Sequence, residues 1–435
     1  MRVHHPELKP LIHDTYTLAD IRTITSRLEA EGTFRFTPLE NGLFPAALSA
    51  GEQYNYTGYA NVWVRDNVHI AHAHLVRGRT KVAVNNARAL MKFFQKYRRR
   101  LDDVIASRVD HADAMQRPHI RFNGHDFTEL SEKWAHAQND ALGYFVWLYC
   151  RLAHEGLIEP EQGELDVLAA FVRYFETIHF WRDEDSGHWE EVRKVAASSV
   201  GIATAGLAML EKLLSERNWF DRLAYAGAQV ERDELDALIA SGRKALDGIL
   251  PAECVTGDKT QQRRYDSALL FLIYPVEVVD DAMADRILAD VQDKLRGDFG
   301  IRRYLGDSYW CADYKSALAP EARTADFSDD IGARDRLLKP GQEAQWCIFD
   351  PIVSAIYGRR YQRTGDAVYL EKQIESLNRS LGQVTGPDCP QGEWRCPESY
   401  YLERGRYVPN DITPLLWTQA NLWIALRQME RSLGA

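Results

Sequence analysis

Hydrophobic residues recur every three or four positions along most of the chain, which is the spacing of one face of an α-helix. In one segment, for example, Ala83, Ala87, Leu90 and Phe94 fall on a single helical face. Runs that alternate like strands are few. The pattern predicts twelve helices, at 17–31, 59–77, 80–106, 131–156, 162–181, 195–215, 232–249, 263–274, 281–296, 341–364, 366–384 and 411–432.

The predicted helices are of two kinds. The segment 141–150 is apolar nearly all round, whereas 231–246 carries one charged face. Helices of the first kind are typical of a buried layer and helices of the second kind of an outer layer. The pattern therefore predicts helical hairpins in two concentric layers. Since we find no Gly/Ser-rich or Pro-rich linker and no legible repeat, we expect a single domain over 1–435.

Composition and charge exclude several classes of partner. Lys and Arg number 53 against 63 Asp and Glu, so the formal net charge is -10. Such a chain repels phosphate backbones and anionic lipid, and we expect neither nucleic acid nor membrane as a partner. Residues 1–16 lack the apolar core of a signal peptide, and no apolar run approaches the roughly 20 residues of a membrane span. We expect a soluble cytoplasmic protein.

The six cysteines are dispersed without CxxC pairs, so we expect reduced thiols. Cys389 and Cys396 are close enough in sequence to form a disulfide, which remains the alternative. Aromatic residues make up 11% of the chain, with 11 Trp and 20 Tyr. Such side chains fill protein cores and also suit the faces of sugar rings, and composition leaves both interpretations open.

Four segments concentrate Trp with Arg or carboxylates: 59–67, 132–140, 187–201 and 396–401. In the first, adjacent Arg65 and Asp66 present a donor fork and an acceptor, which together hold vicinal hydroxyls of a neutral sugar. An ion pair at a helix start is the alternative for the same two residues.

Glu190 and Glu191 follow Trp189 at the predicted opening of a helix. Two neighbouring carboxylates sheltered from water do not both ionise freely, so the pKa of one is expected to be raised, as a general acid requires. Glu398 is the candidate second carboxylate of a hydrolytic pair. The alternative is that Glu190 and Glu191 are first-turn residues that the helix dipole favours.

We expect no metal ion and no organic cofactor. His69 and His72 share a helix face, but His74 points elsewhere and no acidic ligand lies at helical spacing. Neither a nucleotide-binding glycine pattern nor a GxSxG elbow is found. The irregular segment 309–341 contains acidic residues that suit either a cation site or a solvated loop, and we expect the loop; they are Asp326, Asp329 and Asp330.

Taken in order, the motifs resemble those of the glucoamylase family of glycoside hydrolases, family 15, which includes the N-terminal domains of the phosphorylase kinase α and β subunits. The likeness covers roughly 50–432. It rests on VWVRDN at 62–67, WAHAQNDA at 134–141, HWEEV at 188–192, GIRRYLGDSYW at 300–310 and the segment 397–424. The resemblance implies an all-α fold, an (α/α)6 barrel, with residues 1–50 packed on it as an N-terminal segment.

The resemblance also implies roles for residues. Glu190 matches the family's general acid, Glu191 its acidic substrate contact and Glu398 its general base. Arg65, Asp66 and Arg303 would contact the terminal glucose, and Tyr59 would help to place the attacking water. The pocket would be shaped by Trp63, Trp134, Trp189 and Trp417. The implied activity is exo-acting α-glucosidase hydrolysis of an oligosaccharide with inversion.

Two departures from the family bear on function. The base loop reads PES, and the insertion between Glu398 and Trp417 is longer than in many glucoamylases. No β-sandwich or starch-binding module is found, so we expect short soluble substrates, with the 309–341 loop walling the site beyond the terminal glucose. The linkage stays open. Alternatives are a non-catalytic glycan-binding domain of the phosphorylase kinase type and an inverting trehalase.

Overall fold

A computed structural model describes residues 2–48, 51–339 and 341–434. The described chain is mainly helical. Its helices are α1 (Leu18–Ala30), α2 (Val64–Val76), α3 (Thr80–Lys96), α4 (Arg98–Ile105), α5 (Asn139–His154), α6 (Gln162–Thr177), α7 (Ala197–Arg217), α8 (Arg232–Ile249), α9 (Leu270–Ile273), α10 (Asp281–Asp290), α11 (Tyr314–Ala317), α12 (Ile331–Asp335), α13 (Phe349–Thr364), α14 (Ala367–Gly382) and α15 (Leu416–Ser432).

Within the described ranges, six helices close into an inner ring. Each contacts the next in the order α2, α5, α7, α9, α13 and α15, and α15 packs against α2 to close the ring. The outer helices α1, α3, α8, α10 and α14 pack on this ring, and α6 packs on α3 and reaches α5 through Phe171 and Phe145, whose ring centroids lie 5.7 Å apart. The two predicted concentric layers are therefore confirmed, and the architecture is an (α/α)6 barrel.

The closest approach in the inner ring is between α5 and α7. A Cβ built on Gly143 would lie 2.7 Å from the backbone of Ala203, and one on Gly206 would lie 2.7 Å from the Gly143 carbonyl oxygen. Backbone lies against backbone there, so a side chain at either glycine would force the helices apart. This explains why the inner helices combine small residues with large apolar ones.

Seven short strands form three antiparallel sheets in the described residues. They are β1 (Val62–Trp63), β2 (Arg121–Phe122), β3 (Ala224–Tyr225), β4 (Ala228–Gln229), β5 (Gln345–Trp346), β6 (Ser399–Glu403) and β7 (Arg406–Pro409). β1 pairs with β2, β3 with β4, and β6 lies between β5 and β7. Strands β1 and β5 immediately precede inner helices, so these sheets fix the chain where it enters the ring.

Helix boundaries differ from prediction in a systematic way. The prediction for α8 is confirmed, but five inner helices begin at least five residues later than their hydrophobic pattern does, at residues 64, 139, 270, 349 and 416. Many of the residues before them are buried in extended or irregular backbone instead, namely 62–63, 135–138, 343–348 and 411–415. Large apolar side chains buried on a cavity wall produce the same sequence pattern as the buried face of a helix. The predicted helices were therefore too long at their N-terminal ends.

Helix α7 is the one described helix long and apolar enough, by length and composition alone, to cross a membrane. Within the barrel, 78% of its most apolar 18-residue window is buried. Such burial is typical of a core helix.

Candidate active site

A cavity opens at the end of the ring where the inner helices begin. It is lined by Tyr59, Trp63, Arg65, Asp66, Trp134, His188, Trp189, Glu190, Arg303, Tyr309, Thr324, Ala325, Asp326, Arg334, Trp346, Glu398, Leu415 and Trp417. Every predicted site residue except Glu191 is among them. Segments more than 300 residues apart in sequence thus meet in one concave, aromatic and polar site, the shape expected for a ligand site.

Glu190 is held by two donors on its Oε1 atom. The Trp63 indole Nε1 donates at 2.9 Å and Arg65 Nη2 at 3.3 Å. Burial raises the pKa of the Glu190 carboxyl, against the opposing influence of Arg65. The side chain remains 18% exposed, toward the cavity. A carboxyl with a raised pKa beside an open space has the property that a general acid needs.

The backbone of Glu190 is unusual for a residue with a side chain. Its φ is 57° and ψ 45°, in the left-handed region, at the end of the short 3₁₀ helix Gly187–Trp189. The prediction that Glu190 and Glu191 open a helix is wrong, because α7 begins only at Ala197. The left-handed turn sends the two adjacent carboxylates in different directions.

Glu191 lies behind the cavity wall in a cage of cations. Its carboxylate accepts hydrogen bonds from Arg303 at 3.1 Å and Arg334 at 2.9 Å on Oε1, and from Arg263 at 3.3 Å on Oε2. The Tyr304 hydroxyl adds bonds of 2.7 Å to both oxygens. Burial alone would raise the pKa of Glu191, but the three guanidinium groups lower it to about 2. Glu191 therefore orients the arginines that face the cavity.

Glu398 lies just before β6 and is fixed by main chain and side chains. Its N–H donates to the Ile412 carbonyl and its own carbonyl accepts from the Cys347 N–H. Tyr59 donates to Oε1 at 2.9 Å and Asn410 to Oε2 at 2.5 Å. Burial raises the pKa of Glu398 to about 8, although both donors oppose the shift. A carboxylate that ionises so reluctantly is a strong base once ionised.

Two neighbouring aromatic side chains each donate a hydrogen bond to one of the two glutamates. Tyr59, which bonds Glu398, and Trp63, which bonds Glu190, have ring centroids 5.1 Å apart. Both precede α2, so a single rigid segment positions both carboxyl groups.

Arg65 and Asp66 behave differently from one another. Arg65 Nη1 donates to Gln138 at 2.9 Å and to Asp140 at 3.0 Å, so its guanidinium is largely occupied by protein acceptors. Asp66 lines the cavity, and burial raises its pKa to about 7, with Arg65 opposing the shift. Asp66 therefore offers a hydrogen-bond acceptor to a ligand in the cavity. Arg65 instead holds wall residues in position, including Glu190.

Tryptophans form the rest of the wall. Trp189 is anchored by its Nε1 donating to Asp266 at 2.8 Å, and Trp417 stacks on His69 with centroids 4.5 Å apart. The Arg121 guanidinium lies 3.9 Å from the Trp134 ring centroid. Arg303 is fixed by Asp307 at 2.6 and 2.7 Å and extends along the wall beside Trp189.

Several residues of the wall and its support are not marked by any sequence motif: His188, Tyr309, Arg334, Trp346, Leu415 and Asn410. Trp346 falls inside a predicted helix, where an apolar residue is unremarkable. Tyr309 and Arg334 lie in the irregular 309–341 segment, of which residue 340 is outside the described residues. No periodicity marks such positions. Long-range contacts bring them to the site, including the bond of Arg334 to Glu191 and the Tyr309 hydroxyl 3.3 Å from that of Tyr59.

The histidines are packed into the core. The His72 ring nitrogen lies 3.1 Å from the Tyr274 hydroxyl, and burial lowers the pKa of His69, His72 and His74. In the part of the chain that the structure describes, no group of three His, Cys, Asp or Glu is arranged to hold a metal ion. All six cysteines are free thiols.

The profile of the family described as Glycosyl hydrolases family 15 matches residues 35–373. Among curated proteins, the chain is 26% identical over 407 residues to the probable phosphorylase b kinase regulatory subunit alpha of Caenorhabditis elegans, covering 86% of this chain and 31% of that protein. The liver isoform of the alpha subunit from Takifugu rubripes is 26% identical over 190 residues, which cover 41% of this chain and 14% of the relative. The chain thus spans less than a third of these relatives.

Solved structures share the fold. A glycosidase variant in complex with glucose has a TM-score of 0.63 at 18% identity, covering 96% of this chain and 98% of that one. The glucoamylase from Saccharomycopsis fibuligera has a TM-score of 0.58 at 12% identity, covering 97% of each chain. A bacterial glucoamylase complexed with acarbose has a TM-score of 0.55 at 14% identity, covering 90% of this chain and 53% of the other.

Proposed function

Since the chain belongs to glycosyl hydrolase family 15, we propose that it is an inverting, exo-acting α-glucosidase that releases β-glucose from the non-reducing end of short α-glucosides. The observation that carries the proposal is the meeting of Glu190 and Glu398 in one cavity, each with a raised pKa and each held by a different ring of the Tyr59–Trp63 pair. The sugar complexes of two structural neighbours, with glucose and with acarbose, support an oligosaccharide substrate.

In the proposed reaction Glu190 protonates the departing glycosidic oxygen while Glu398 accepts a proton from water that attacks the opposite face of the sugar. Inversion needs a carboxyl separation of roughly 6.5–9.5 Å, which leaves room for the attacking water between the two groups. Glu190 and Glu398 both line the one cavity in which such a water would lie. The Tyr59 hydroxyl, bonded to Glu398, is suited to orient the water. Both proton transfers are thereby assigned to side chains of this chain.

The terminal glucose is assigned to the deep end of the cavity. Asp66 accepts from its hydroxyls and Arg303 donates to them, while the tryptophans Trp63, Trp134, Trp189 and Trp417 cover the ring faces. Glu191 is given an indirect role in this proposal, since its carboxylate holds Arg303 and Arg334 in place.

Asp66→Ala is expected to lower kcat/KM by a similar factor on every α-glucoside, because all of them present the same terminal ring. The lost charge-assisted hydrogen bond corresponds to about 1.5–3 kcal/mol. The melting temperature should change little. Asp281→Ala, which removes another first-turn aspartate in an exposed ion pair, is the control and should leave kinetics unchanged. A lowered melting temperature with unchanged kinetics for Asp66→Ala would assign Asp66 a structural role.

Substrate length is expected to matter little. The 309–341 segment contributes Tyr309, Thr324, Asp326 and Arg334 to the wall, so few contacts are left for additional glucose units. We predict that kcat/KM changes little from maltose to maltoheptaose, measured by glucose release. A steady increase with chain length would show that the site has more sugar subsites than proposed.

A second candidate function is a glycan-binding regulatory domain, which the similarity to regulatory subunits of phosphorylase b kinase favours. A third, trehalose hydrolysis, uses the same two glutamates. One panel separates them: glucose release from maltose, isomaltose, panose and trehalose, with binding of the same sugars measured calorimetrically. Binding without glucose release from any sugar would support the regulatory domain, and release from trehalose alone would support a trehalase.

We also propose that the protein acts in the cytoplasm. Its six cysteines are free thiols, five of them buried, which suits a reducing compartment. Fractionation of the source cells, with the activity measured in each fraction, tests this point.

A further inference from the structure

The described residues of the 309–341 segment form a structured part of the cavity wall. Helix α11 and the 3₁₀ helix Pro320–Ala322 lead into residues 324–326, which line the cavity, and α12 follows. Arg334 at the end of α12 bonds Glu191 at 2.9 Å and Ser308 at 3.0 Å. The segment is therefore tied to the acid loop, and its cavity-facing residues are held in place.

Asp326 has one carboxylate oxygen without a partner. Oδ1 accepts the Ser328 N–H at 2.8 Å. Oδ2 is buried and has no hydrogen-bond partner among the described residues, although the residue lines the cavity. A buried carboxylate oxygen left unpaired is costly, so a ligand hydroxyl that donates to it would be bound favourably.

The position of Asp326 is near the mouth of the cavity. Three residues further along, Asp329 pairs with Lys133, and both of these side chains are largely exposed. On the other side, the Thr324 hydroxyl donates to the Tyr56 carbonyl at 3.5 Å. Asp326 thus lies between the solvent edge and the deep wall that Asp66 and Arg303 form. A sugar leaving toward solvent would pass it.

We propose that Asp326 accepts a hydrogen bond from a hydroxyl of the leaving-group sugar, and so selects glucosides whose leaving group is itself a neutral sugar. This inference rests on the proposed hydrolysis. The same negative charge disfavours leaving groups that carry phosphate or carboxylate. Asp326 is a specificity residue here, because the two proton transfers do not involve it.

The experiment compares two substrates that share the terminal glucose. One is whichever of maltose, isomaltose and trehalose the wild type hydrolyses fastest; the other is α-glucosyl fluoride, whose leaving group has no hydroxyl. Asp326→Ala is expected to lower kcat/KM on the disaccharide about tenfold, the usual effect of losing a hydrogen bond to a charged group, and to leave α-glucosyl fluoride unchanged. Asp326→Asn, which keeps a neutral acceptor, should fall between wild type and Asp326→Ala.

Asp329→Ala is the matched control, since it removes a carboxylate of the same segment that is already paired with Lys133. Asp329→Ala should leave kcat/KM unchanged on both substrates. Equal losses on both substrates for Asp326→Ala, or no loss on either, would overturn the inference while leaving the proposed function intact. Failure of the wild type to hydrolyse any of these glucosides would overturn the proposed function and the inference together.

Discussion

Glu190→Gln is expected to reduce hydrolysis of disaccharides by about 10²–10⁴-fold, because an amide cannot protonate the leaving oxygen. The loss should be much smaller on α-glucosyl fluoride, since fluoride leaves without a proton. The hydrogen bonds from Trp63 and Arg65 can both be made to the amide oxygen, so the fold should be retained. Steady-state kinetics on the two substrates, with circular dichroism, measures all three points.

Glu184→Gln is the matched control for Glu190→Gln. Glu184 lies in the same loop but is exposed, so its substitution should leave both substrates unaffected. Equal losses on the disaccharide and on α-glucosyl fluoride would mean that Glu190 is not the acid.

Glu398→Gln is expected to lose activity on both substrates, again by about 10²–10⁴-fold, because activation of water is needed whatever the leaving group. The activity on α-glucosyl fluoride therefore distinguishes the two roles: it is lost when the base is replaced and largely kept when the acid is replaced. Glu403→Gln, in the same hairpin but outside the catalytic cavity, is the control and should stay near wild type. Should Glu398→Gln remain active on both substrates, the base would be another carboxylate.

Glu398→Gln should also reveal how much burial of the ionised Glu398 carboxylate lowers the stability of the fold. The pKa of Glu398 is raised from 4.5 to about 8 on folding, so between these values the folded protein binds more protons than the unfolded chain. Wild-type stability from this group is therefore present below pH 4.5 and lost as pH rises through 8. The melting temperature of Glu398→Gln relative to wild type should increase from pH 5 to pH 9, as measured by differential scanning fluorimetry. A difference that does not change with pH would contradict the raised pKa.

Much of the fold could be predicted because helical periodicity is a strong local signal. The double layer follows from helices that are apolar all round and helices with one polar face. The limits of the inner helices could not be predicted, because Trp63 and Trp346 are buried, and Trp134 half-buried, on the cavity wall outside helices. In the sequence, these wall tryptophans look like residues on the buried face of a helix.

The site was predictable where short motifs carry it. Ten predicted residues line the cavity together, including Glu190 and Glu398. The position of Glu191 could not be predicted from sequence. The left-handed turn at Glu190 directs the Glu191 carboxylate toward three arginines from distant segments. Long-range ion pairs of this kind leave no periodic trace in sequence.

Inverting hydrolysis by Glu190 and Glu398 determines the anomeric form of the first product. Proton NMR should be recorded on the wild type acting on its best disaccharide, within the first minutes and before glucose equilibrates between its anomers. We expect β-glucose to be released first from the terminal α-glucoside. Initial release of α-glucose would mean retention, and would contradict the assignment of Glu398 as a base that activates water.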